Sequence, residues 1–191
     1  MEKKTKMGFK YQIRTDGIYF LTFTVVDWID VFTRPELANV VIDSLRHCQK
    51  EKGLDIYAWC IMSSHVHLIA SAGVNGDLSN IMRDMKKFTS KQIVKTIIDI
   101  PESRREWLLD KFAFAGKHNP KIKEYKFRQD GIHPIEIYSE KFFRQKLDYI
   151  HENPVEAGLV WEAWQYRYSS AIDYWGKGKG LLETEVMGLI V

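Results

Sequence analysis

The chain has 191 residues, 45% of them hydrophobic, with a net charge of +3 and two cysteines. That length holds one domain or two small ones, with enough apolar residues for a core. No run approaches the ~20 apolar residues of a membrane span, and two cysteines exclude a disulfide framework and point to a reducing compartment. The small positive excess is weak evidence for an anionic partner, so the clustering of basic residues carries more information than their sum.

The start, Met1 to Lys6, is charged and lacks an apolar signal region, so a cytoplasmic location is expected. Residues 1–16 read as a basic N-terminal arm with Phe9, Tyr11 and Arg14, either a loose tail or a contact to a nucleic-acid backbone. Gly17 to Trp28 is β-branched and aromatic and predicts one long strand. Pro35 suits a first helical position, and Leu37, Val41, Leu45 and Cys48 repeat at helical spacing until Gly53. Leu54 to Met62 and His65 to Ala72 predict two strands joined by a polar turn at Ser63-Ser64.

In the third strand His65 and His67 share one face, while Val66 and Leu68 point to the other. Two imidazoles on one rigid surface are half of a divalent-metal site. The plainer alternative is one core histidine and one exposed histidine. After a turn at Gly73 to Gly76, Asp77 is a good N-cap. The helix it opens has a predicted buried stripe of Leu78, Ile81, Met82, Met85 and Phe88. Arg83, Lys87, Lys91 and Lys95 line up along its outer side, either as a solvated face or as phosphate contacts.

Residues 100–125 are the least readable, with a helix expected over 102–114 and a surface loop at 116–120. Residues 126–137 predict a strand plus a turn at Asp130-Gly131. Ser139 caps a further helix whose stripe is Phe142, Phe143, Leu147 and Ile150, and this helix runs into Tyr149-Ile150-His151-Glu152-Asn153-Pro154. The tail, 161–191, is aromatic and basic (Trp161, Trp164, Tyr166, Tyr168, Tyr174, Trp175, Lys177, Lys179). It either stacks bases or packs a core edge. His118 and His133 sit in apparent loops, and His151 reads as structural. No Ser-His-Asp order, phosphate-cradling glycine loop or paired-cysteine motif is present.

The element order strand, helix, strand, strand, helix, strand predicts a single α+β domain of the ferredoxin-like, split βαβ type. It has an antiparallel sheet and both helices on one face. With His65-Val66-His67 ending a hairpin and Tyr149 opening Tyr-Ile-His-Glu-Asn-Pro-Val-Glu-Ala-Gly-Leu-Val, the chain resembles the single-tyrosine HUH transposases, and among them the REP-associated tyrosine transposases. Tyr19 to Phe23, Leu78 to Lys87 and Trp164 to Ser170 also resemble that family's segments, whereas 100–125 lies outside the resemblance and reads as a family-variable insertion. The resemblance implies a C-terminal helical extension carrying the tyrosine. It also implies cleavage and rejoining of single-stranded or hairpin DNA through a 5′-phosphotyrosine, with magnesium or manganese as cofactor. It places the nucleophile at Tyr149, the metal ligands at His65 and His67, and a third ligand at Asn153. DNA contacts are expected at Arg14, Arg83, Lys87, Lys91 and Lys95, no membrane is involved, and a homodimer is compatible with it.

A tyrosine hydroxyl titrates near ~10 and needs its target phosphate polarised and delivered in line. Tyr149 and Asn153 share a face if the helix continues. Pro154 opposes that, and Asn153 is alternatively the cap of a short helix starting at Pro154, with Glu156 closing a capping box. The competing class is a domesticated relative that holds DNA hairpins without cutting them. A metal-dependent phosphohydrolase lacks acidic ligands here.

Overall fold

The computed structural model describes residues 13–14, 17–74, 76–117, 119–120, 122, 124–130 and 134–188. Most of the N-terminal arm, His118 and His133 lie outside the described residues. The elements are β1 (Tyr19–Thr24), α1 (Pro35–Lys52), β2 (Leu54–Ile61), β3 (His65–Ala72), α2 (Leu78–Asp99), α3 (Arg105–Gly116), β4 (Ile135–Glu136), α4 (Glu140–Glu156) and α5 (Ala171–Tyr174).

The sheet is four-stranded in the order β2-β3-β1-β4, and every neighbouring pair is antiparallel. This is the ferredoxin-like arrangement that the element order predicts, with β3 inserted between β1 and β2. Alternation along β1 and β3 divides the core. Tyr19, Leu21, Phe23, Val66, Leu68 and Ala70 pack against α1 and α2 on one face. Phe20 and Ile69 point to the other face, where Phe143, Leu147 and Ile150 of α4 cover them. A bulge at Tyr57, between Ile56 and Ala58, lets β2 serve both cores: Ile56 lies in the first, Ala58 and Cys60 in the second.

Four local expectations are corrected. The strand predicted to Trp28 ends at Thr24, because the Val25 and Val26 amides donate to Ser64 and Phe127 carbonyls and pull the chain into a tight 3-10 turn. In that turn Asp27 and Trp28 take φ of 54° and 55°, left-handed values that cost a non-glycine residue about 1 kcal/mol or more. Phe88 is 59% exposed rather than buried: the stripe passes from Met85 to Thr89, Ile93 and Ile97, four apart, and leaves Phe88 on the flank. Phe142 is only partly buried and stacks on Tyr138 at 5.1 Å.

The strand expected over 126–137 is two short pieces on one edge of β1. Arg128 bridges to Val25, and Ile135–Glu136 pairs with Phe20 and Tyr19. A Lys126–Asp130 ion pair at 2.6 Å spans the first piece, and Pro134, just before the second, has no N–H to offer a ladder.

The helix expected over 102–114 appears as α3, whose Leu108 and Phe112 enter the first core. The aromatic tail packs along the outer edge of β2. Tyr166 and Tyr174 hydroxyls donate to the Ile61 and Tyr57 carbonyls at 3.0 and 2.8 Å, the Glu185 amide donates to Ile56, and Leu182 is buried. Among the described residues no helix is long and apolar enough to cross a membrane.

Candidate metal and nucleophile site

α4 brings its residues to the sheet by ordinary helix chemistry. The Ser139 hydroxyl accepts from the Phe142 amide at 3.2 Å and caps the first turn. Phe143, Leu147 and Ile150, spaced by four and three, bury one stripe against the sheet. That stripe leaves Tyr149 on the flank, 45% exposed.

α4 runs unbroken through Pro154 to Glu156, so the alternative in which Asn153 caps a second helix is excluded. The proline has no N–H to donate to the Ile150 carbonyl, yet the helix continues, and the Asn153 side chain donates from Nδ2 to the Tyr149 carbonyl. Asn153 therefore keeps Oδ1 as its remaining polar atom, one turn beyond Tyr149.

β3 presents both histidines to the α4 side of the sheet. Their ring centroids are 4.7 Å apart, and Tyr149 meets His67 edge-on at 5.1 Å. Phe20 stacks on His67 at 5.5 Å and touches the Tyr149 ring at 5.9 Å. His67 is 3% exposed. Its Nδ1 shares a 3.0 Å hydrogen bond with Thr22 Oγ1, directly across the β1–β3 register, and its Nε2 is buried with no partner among the described residues. His65 Nδ1 lies 3.2 Å from Ser64 Oγ, and its ring is met edge-on by Trp28 at 5.3 Å.

Burial pushes His67 down to about 3, helped by the positive charges of His65 and Lys146. Burial also lowers His65, against a smaller opposing pull from Asp30. Both rings are thus neutral at physiological pH, the form that ligates metal. The orphaned Nε2 of His67 beside a second neutral imidazole fits a divalent ion, with the hydroxyls of Thr22 and Ser64 orienting the rings from behind. Among the described residues no group of three or more His, Cys, Asp and Glu side chains is assembled.

Lys146 lies one turn before Tyr149 on the same face of α4. Its Nζ stands 5.7 Å from the Tyr149 ring centroid and 4.8 Å from that of Phe20. The structure thus gathers His65, His67 and Tyr149, together with Thr22, Trp28, Phe20 and Lys146, which sequence reasoning missed. Lys146 was recoverable from its spacing to Tyr149. Thr22 was not, because it depends on strand register.

The basic row of α2 borders a groove of about 1010 Å3 that includes Arg83, Lys87, Lys91 and Lys95. Arg83 pairs with Asp84 at 3.1 Å, whereas Lys87, Lys91 and Lys95 have no carboxylate partner among the described residues. Arg14 stands elsewhere, with its side chain 3.9 Å from Glu136 and its amide bonded to the Tyr19 hydroxyl at 2.7 Å.

Residues 16–126 match the family model described as "Transposase IS200 like", a span that holds both histidines and α2 and stops before Tyr149. Among solved structures, the REP-associated tyrosine transposase bound to a REP hairpin aligns with a TM-score of 0.58 at 17% identity, over 96% of this chain and 98% of that one. The fold is therefore shared with that protein. A protein of Deinococcus radiodurans R1 provisionally described as a transposase aligns at a TM-score of 0.43 and 19% identity, over 76% of this chain and 95% of that one. No curated protein matches the chain.

Proposed function

The chain belongs to the IS200-like transposase family, and on that premise we propose that it cleaves and rejoins single-stranded DNA at hairpin-flanked sites, with Tyr149 as nucleophile. The observation that carries the reading is the Tyr149 ring standing 5.1 Å from His67, whose buried Nε2 has no partner among the described residues. The structural neighbour's bound REP hairpin supports hairpin DNA as the substrate class.

His65 and His67, with the Oδ1 of Asn153 as third donor, would hold the divalent ion, magnesium or manganese, and imidazole ligands favour manganese at least as much. Such an ion supplies Lewis-acid polarisation of the scissile phosphate. The half-exposed Tyr149 hydroxyl attacks phosphorus, the bond to the 3′-oxygen breaks, and the departing oxygen takes up a proton. The product is a 5′-phosphotyrosine and a free 3′-hydroxyl. Attack by a second 3′-hydroxyl reverses the step and releases the tyrosine. The Lys146 ammonium beside the Tyr149 ring supplies positive charge where the charge of the reacting phosphate develops.

The test incubates the protein with a labelled single-stranded hairpin and manganese and looks for a covalent adduct. Wild type forms it, Tyr149→Phe does not, and His65→Ala loses metal affinity and slows it. A Tyr149→Phe protein that still forms adduct contradicts the assignment. A wild type that binds the hairpin but never forms adduct favours the domesticated, non-cutting alternative.

A further inference from the structure

The groove beside α2 holds more positive charge than the outer row of that helix. Lys86 and Ser90 line it from α2, and Lys126 and Arg128 line it from the edge segment opposite. Arg128 is partly buried, and its Nε donates to Ser90 Oγ at 3.1 Å. No carboxylate lies within ion-pair distance of Arg128 or Lys86 among the described residues, while Lys126 is neutralised by Asp130 at 2.6 Å.

Two half-buried cations side by side without a counter-ion are unfavourable. Burial lowers Arg128 to about 9, and burial together with the Arg128 charge lowers Lys86 to about 8. A phosphodiester placed between them relieves both, and the planar guanidinium fork matches phosphate oxygens.

The groove also reaches the candidate site. Thr22 lines it, and the Thr22 hydroxyl holds His67. Thr22, Phe23 and Thr24 of β1, between the Phe20–Ile135 pair and the Val25–Arg128 bridge, all line the groove.

We propose that Arg128 and Lys86 form a phosphate-binding subsite that anchors the backbone of single-stranded DNA in this groove, so that the strand runs from α2 along Thr24 and Thr22 of β1 toward His67. The subsite rests on the reading of the protein as a DNA-cleaving enzyme only for its ligand, and binding can be measured without cleavage.

The experiment is a salt series of fluorescence anisotropy with a labelled single-stranded oligonucleotide and chelator present, so that no cleavage occurs. Lys86→Gln loses one phosphate contact, which lowers the slope of log affinity against log salt by about 0.7 and weakens binding about fivefold at ~0.1 M salt. Arg128→Gln does the same or more, and Arg128→Lys keeps the slope while losing affinity, because charge is retained and the fork is lost. The Lys86 side chain is only half-buried and has no ion-pair partner among the described residues, so Lys86→Gln remains informative if Arg128→Gln fails to fold by circular dichroism. A folded Lys86→Gln protein with wild-type slope and affinity overturns the subsite, even if it forms adduct normally. A reduced slope in a protein whose wild type never forms adduct overturns the cleavage reading and leaves the subsite standing.

Discussion

Thr22→Val isolates the contact that orients the buried histidine. Valine keeps the β-branched shape that suits a strand and replaces only the hydroxyl that shares a 3.0 Å bond with His67 Nδ1. His67 Nε2 already lacks a partner, so the variant leaves both ring nitrogens unsatisfied in a residue that is 3% exposed. One such loss costs about 1–3 kcal/mol of folding stability. The larger effect concerns metal. Losing the outer partner of a ligating histidine reduces affinity about 10- to 100-fold, or about 1.4–2.7 kcal/mol of binding. Calorimetric titration with manganese measures it directly, and Thr22→Ser, which restores a hydroxyl, recovers most of the loss. A Thr22→Val protein that is folded and binds manganese as tightly as wild type would refute the argument that this bond prepares His67 as a ligand.

Three further outcomes are expected. Replacing Lys87 and Lys91 together with alanine flattens the salt dependence of single-stranded DNA binding by about 1.4 in slope, measured by anisotropy; an unchanged slope assigns these lysines to solvent. Lys146→Met keeps the aliphatic stem over Phe20 but removes the charge beside Tyr149, slowing adduct formation about fivefold, since a charge at that range near the surface is worth ~1 kcal/mol. Burial holds His151 at about 4, below its ordinary 6.5, with its Nε2 bonded to Ser170 Oγ at 2.9 Å. Below pH 6.5 the unfolded chain binds this proton and the folded one does not until about pH 4, so stability falls on acidification through that window. The His151 share is about 2 kcal/mol between pH 7 and pH 5, and urea unfolding of His151→Gln should show a correspondingly smaller difference between those pH values.

Periodicity made much of the fold legible. Alternation in β3 placed His65 and His67 on one face, and the α4 stripe left Tyr149 beside that face rather than in the core. The strand and helix order led to the ferredoxin-like sheet, because short hairpins and right-handed crossovers leave few other arrangements. Features made by distant partners were not legible. The left-handed turn at Asp27 and Trp28 exists because Ser64 and Phe127 carbonyls bind the amides before it. Thr22 meets His67 only through the register of β1 on β3. Arg128 reads as one more basic residue until the edge segment folds it against Ser90. Asn153 had two readings because Pro154 removes one backbone bond, which can end a helix, yet a helix held by packing on both sides of the proline continues through it.

The most direct measurement of the central claim is the position of the DNA link. Adduct formed by the wild-type protein with a labelled hairpin and manganese is digested with nuclease and protease, and the peptide retaining a nucleotide is sequenced by mass spectrometry. The account predicts a single modified peptide with the phosphate on Tyr149. A nucleotide on any other residue, or on several tyrosines in comparable yield, would contradict it.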